Sequence, residues 1–167
     1  MVALEIKNVK EFMNQLLVNE AFDSFSLEEA TIVTANTFKI DGRNVPAYFE
    51  GTDLSGNPLT LPGEFASWKE LKPFCLTLIR GKRSPVSFRI TLHAGDRYLT
   101  RLKNEHPGRA ADDLRHVIVN IRYEAGSLRC ITGASYSTFV TDKSLENTWD
   151  TDFISSMTSL GIRFELL

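Results

Sequence analysis

Residues 67–92, SWKELKPFCLTLIRGKRSPVSFRITL, pass from a helix pattern through a basic turn into an alternating strand with almost no slack, and no other stretch constrains the fold as tightly. Ser67 with Glu70 three residues on has the spacing of a capping box, in which hydroxyl and carboxylate satisfy each other's backbone donors. Trp68, Leu71, Cys75, Leu78 and Ile79 then recur at helical spacing, and Gly81 offers a C-terminal stop. Pro73 has no N–H to donate to residue 69, so the helix is either kinked there or begins properly at Pro73. From Val86 the period changes to two: Val86, Phe88, Ile90 and Leu92 share one face, and Ser87, Arg89 and Thr91 the other. Between helix and strand stand Arg80, Gly81, Lys82 and Arg83, three cations on one turn. Nothing in this stretch, or elsewhere, names a reaction.

The rest of the chain supplies strands and helices that can pack around this unit. Val2, Leu4 and Ile6 alternate, and Asn8 with Glu11 then opens a helix whose apolar stripe is Val9, Phe12, Met13, Leu16 and Leu17. Residues 27–40 are rich in Thr, Val, Ile and Phe and read as one long or broken strand ending at the Asp41-Gly42 turn. Residues 45–49 read as a returning strand. Residues 52–63, with two glycines and two prolines, read as a mobile loop. A short helix over 96–104, a polar lead-in at 112–115 and a hairpin turning at Ala125-Gly126 follow, with Gly133 as the expected bulge. Asp142 caps a last helix to about Leu160, and residues 162–166 close the chain as a strand. The order of elements in 2–92 echoes that in 86–166, as expected for a pseudo-two-fold arrangement. The expected class is α+β, mainly antiparallel sheet with about four helices, in a single domain over 1–167.

The 167 residues are enough to bury about 70% of the unfolded surface in one core. Trp68, Phe74, Leu78, Phe88 and Ile90 are expected in it. No apolar run reaches the roughly 20 residues that span a bilayer, and the opening MVALEIK alternates like a strand, unlike a signal peptide. The expectation is a cytoplasmic protein with no membrane contact. Cys75, on an apolar helix face, and Cys130, within a strand, are expected as reduced, buried thiols.

A net charge of −2 conceals an asymmetry. Residues 1–68 hold 4 Lys/Arg against 10 Asp/Glu, residues 69–115 hold 11 against 5, and residues 116–167 hold 4 against 6. Clustered cations attract polyanions even where the total is acidic. Arg80, Lys82, Arg83 and Arg89 are therefore the candidate anion-binding residues, extended by Lys69 and Lys72 if the helix presents them. The structural alternative is that cations at a helix C-terminus complement its dipole, worth about 0.3–1 kcal/mol. Asp113 and His116, at i and i+3, could share a metal if helical, but lack the further ligands a metal needs. His93 and His106 look isolated. The GASYS run at 133–137 lacks the last glycine of a nucleophile elbow, and no glycine-rich phosphate loop follows a strand. No catalytic residue, cofactor or metal is expected.

The run WKELKPF…LIRGKRSPVSF, with VNIRYEAGSLRCITGAS and TDKSLENTWD, resembles a family of small uncharacterised proteins from anaerobic Gram-positive bacteria. The resemblance covers most of the chain and implies no activity. A second, architectural resemblance is to one domain of the DNA sliding-clamp fold, where helices face DNA and sheets face outward; the helix over 96–104 is extra to that pattern. Function is accordingly expected to be that of a non-enzymatic binding module whose basic middle third engages nucleic acid or an acidic protein surface. The competing reading is an enzyme or small-ligand protein with a pocket near the 52–63 loop. Oligomeric state is not readable from these features.

Overall fold

A computed structural model describes every residue from Met1 to Leu167. Seven strands form one antiparallel sheet: β1 (Ala3–Ile6), β2 (Ser26–Val33), β3 (Thr37–Asp41), β4 (Ser87–His93), β5 (Leu114–Glu124), β6 (Ser127–Tyr136) and β7 (Phe164–Leu166). Their order across the sheet is β3-β2-β4-β5-β6-β1-β7. The helices are α1 (Val9–Leu17), α2 (Trp68–Ile79), α3 (Asp96–Glu105), the five-residue α4 (Arg109–Asp113) and α5 (Ser144–Ser159). This is the expected α+β class. No helix is long and apolar enough to cross a membrane.

Alternation along each strand gives the sheet two unlike faces. One carries Leu4, Ala30, Ile32, Phe88, Ile90, Leu92, Val117, Val119, Ile121 and Cys130, all buried, and the helices cover it. Trp149 of α5 is fixed there by its indole N–H, which donates to the Ile118 carbonyl at 3.0 Å, and Trp68 of α2 by donation to the Leu16 carbonyl at 2.9 Å. On the opposite face no helix lies over the central rows. There Thr31, Thr91 and Asn120 are half-exposed, and Arg89, Arg122 and Arg129 are exposed.

Several local expectations gave way to tertiary ones. Residues 34–36 turn the chain back, so the 27–40 stretch is the β2–β3 hairpin. Residues 45–49 do not return as a strand: Pro46 opens a 3-10 turn (Pro46–Phe49), where its fixed φ fits and its missing donor costs nothing. Neither capping box forms. The Asn8 side chain instead donates to the Gly161 carbonyl at 3.1 Å and accepts from the Arg163 N–H at 2.8 Å, joining α1 to the segment before β7. α2 runs unbroken from Trp68 to Ile79 with Pro73 inside it, and it stops because Arg80 turns extended, not because Gly81 turns left-handed. Its buried positions are Trp68, Lys72 and Cys75; Leu78 is half-exposed and Phe74 is 62% exposed. The polar lead-in at 112–115 is divided between the end of α4 (Asp112, Asp113) and the start of β5 (Leu114, Arg115). Gly133 stays in register opposite Ile118, whose Cγ1 would stand 3.3 Å from an added Cβ, and the irregularity in this hairpin falls at Arg115 instead. Cys75 and Cys130 are buried free thiols, and burial pushes Cys75 up to about 12.

Candidate anion-binding face

Antiparallel register sets the uncovered face in rows. The row through Arg89 reads Lys39, Thr31, Arg89, Arg122, Arg129, Glu5 and Glu165, one residue from each of the seven strands. Three arginines on adjacent strands thus stand directly opposite one another. Like charges in that relation destabilise a sheet. The flanks of the row are neutralised: Lys39 pairs with Glu29 at 2.9 Å, Arg129 approaches Glu5 at 3.9 Å, and Lys7 bridges Glu5 and Glu165 at 2.6 and 2.8 Å. No carboxylate comes within 4.0 Å of Arg89 or Arg122. Thr31, Ser87 and Glu124 complete an open groove of about 320 Å³ around these two guanidinium groups.

Arg80, Lys82 and Arg83 are exposed in the turn that leads from α2 into β4, and they too have no carboxylate within 4.0 Å. Arg80 and Arg83 border a second cavity of about 250 Å³, floored by Val9, Met13, Ile79 and Pro85. Phe88 and Tyr123, stacked with centroids 5.2 Å apart, line both cavities, so the turn and the arginine row flank one aromatic pair. Lys69 is exposed on α2, whereas Lys72 does not join the face: it is buried, donating to the Asn19 carbonyl at 2.8 Å and pairing with Asp23. The acidic first third therefore neutralises Lys72 from within and leaves the turn and Arg89 free. Arg122 and Arg129 lie outside the basic middle third in sequence, and the signal that could have found them is their polar-face parity in the β5–β6 hairpin.

A second cluster occupies the far end of the same face. His93 and His116 stack with centroids 4.2 Å apart, and Phe65 packs edge-on against both, at 4.5 and 5.9 Å. His93 Nε2 bonds Glu28, and His116 Nε2 lies 4.0 Å from Glu64. Register shifts place Glu28 in β2 and Arg115 in β5 as extra residues, which is how two bulges converge beside the end of β4. The two histidines are thus partners, and neither joins Asp113, which accepts from Ser137 and Thr138 at 3.0 and 2.6 Å. His106 is held by Thr148 at 2.9 Å. Burial and the neighbouring His93 hold His116 below the ordinary histidine range. No set of three His, Cys, Asp or Glu side chains is placed to hold a metal. The cavities beside the arginine row and the turn are lined by neither histidine nor any residue of 52–63, which are all exposed. The arrangement pins the segment after β3 to the sheet through Phe65.

Fold and site together define an α+β protein with helices on one face of an antiparallel sheet and an unneutralised arginine pair on the other. The chain belongs to a family of unknown function (DUF5721), whose model matches residues 15–165. No curated protein and no solved structure matches it.

Proposed function

We propose that the protein is a binding module for an anionic partner, nucleic acid or an acidic protein surface, engaged by Arg80, Lys82, Arg83 and Arg89 together with Arg122. The observation that carries this reading is that Arg89 and Arg122 face each other on an uncovered sheet with no carboxylate within 4.0 Å. Opposed cations contribute nothing favourable to folding there, whereas an anion laid across them removes their repulsion. The turn cations continue the same charge around the end of β4. A sliding-clamp domain would present helices to DNA; here Arg89 and Arg122 stand on the sheet face, so the reading rests on the charges and not on that likeness.

The test is binding to DNA, RNA and acidic proteins as a function of salt, with Arg80, Lys82 and Arg83 all changed to Ala in a second protein. Affinity for nucleic acid should fall steeply with salt, and the triple variant should bind more weakly at ~50 mM salt, its log–log salt slope shallower by about 3. Wild-type protein that binds none of these anions at low salt, or a triple variant that binds equally well, returns the turn to a helix-dipole role.

A further inference from the structure

We infer that Arg89 and Arg122 form a discrete subsite for a phosphomonoester dianion within the basic face, an assignment that rests on the anionic-partner reading above and names its ligand chemistry. Each guanidinium is a planar fork matched to two oxygens of one phosphoryl group. The two are cross-strand partners, so their Cβ atoms are about 4.5–5.5 Å apart and both forks can close on one tetrahedral anion. Thr31, directly across from Arg89 on its other side, and Ser87, two residues before it, place hydroxyl donors at the same groove. The groove, about 320 Å³, is open to solvent, so a phosphoryl group reaches the two guanidiniums from outside. A phosphomonoester carries nearly two charges at neutral pH and matches two unpaired guanidiniums, whereas a phosphodiester carries one. Phe88 and Tyr123 also line the groove, but they stack on the helix-covered side of β4 and β5, and none of the outward side chains beside Arg89 and Arg122 is aromatic. Glu124, one row further along, is the group that opposes an anion and limits affinity.

The experiment is titration of the full chain with inorganic phosphate at pH 7.5 and constant ionic strength, with chloride as control, read by amide shifts and by the thermal midpoint. Wild type should respond saturably to phosphate. Arg122→Thr should abolish the response, Arg89→Lys, which keeps the charge but loses the fork, should weaken it about tenfold, and Glu124→Gln should lower the half-saturating concentration. Phosphoserine and a phosphoserine peptide then separate a free phosphate ligand from a phosphorylated protein partner, the peptide binding tighter in the second case. Equal responses to phosphate and chloride, or a dimethyl phosphate response as strong as that to phosphate, would overturn the subsite. Salt-sensitive polyanion binding that persists without any phosphate effect would sink the subsite and leave the binding-module reading standing.

Discussion

Two rows of side chains, one residue apart along the same seven strands, show what this sheet does on each side. The inward row is Ile40, Ala30, Ile90, Ile121, Cys130, Leu4 and Leu166; the outward row is Lys39, Thr31, Arg89, Arg122, Arg129, Glu5 and Glu165. Both rows hang on one backbone ladder, so hydrogen bonding cannot distinguish them. The inward row is apolar without exception, and its middle five members are fully buried. The outward row contains no apolar residue, and its centre is three facing arginines. Hydrophobic burial explains the first row residue by residue. Folding gives no account of the second, because opposed exposed cations are at best neutral for stability. The proposed anionic partner is what would account for that difference.

The sharpest way to break the comparison is to exchange neighbours across it. Ile90→Ala should cost about 2–5 kcal/mol in denaturant unfolding, because it opens a cavity in the core. Arg89→Ala, one residue away, should stay within about 0.5 kcal/mol. If Arg89→Ala destabilised as much as Ile90→Ala, the outward row would be structural.

Each face also contains one exception, and these sharpen the contrast. On the helix side, Lys72 is a buried cation held by Asp23 and the Asn19 carbonyl. Lys72→Met leaves Asp23 without its partner and should cost about 3 kcal/mol, with most of the loss recovered when Asp23→Leu is added. Unfolding curves of the single and double variants check this.

On the outer side the exception is the His93–His116 stack. His116 binds its proton less readily in the folded chain than in the unfolded one, because burial and His93 disfavour its charge. The unfolded state therefore binds more protons as pH falls, and stability rises with pH through this range. The stabilisation is complete above the ordinary histidine value of about 6.5 and declines below it. His116→Gln should flatten that part of the stability profile between pH 7.5 and 5, a smaller effect than either substitution above. An unchanged profile would show that Glu28 and Glu64 hold the stack together whatever its charge.

Local pattern in the chain was sufficient for the period-two strands, the apolar stripes of the helices, the exposed turn with Arg80, Lys82 and Arg83, and the polar-face parity of Arg89. These follow from the geometry of a single strand or helix, in which i+2 or i+3/i+4 neighbours share a face. Tertiary structure alone decided the rest. Arg122 and Arg129 become neighbours of Arg89 only through antiparallel pairing across residues far apart in the chain. Glu28 reaches His93 through a bulge that adds one residue to β2, and His116 meets it as the residue two before Ile118, the cross-strand partner of His93. Lys72 leaves the basic surface because Asp23 is waiting beneath it, and Asn8 abandons its cap for Gly161 and Arg163. Each of these depends on which segments meet and in what register, and that is settled by the packing of the whole core, which no local period encodes.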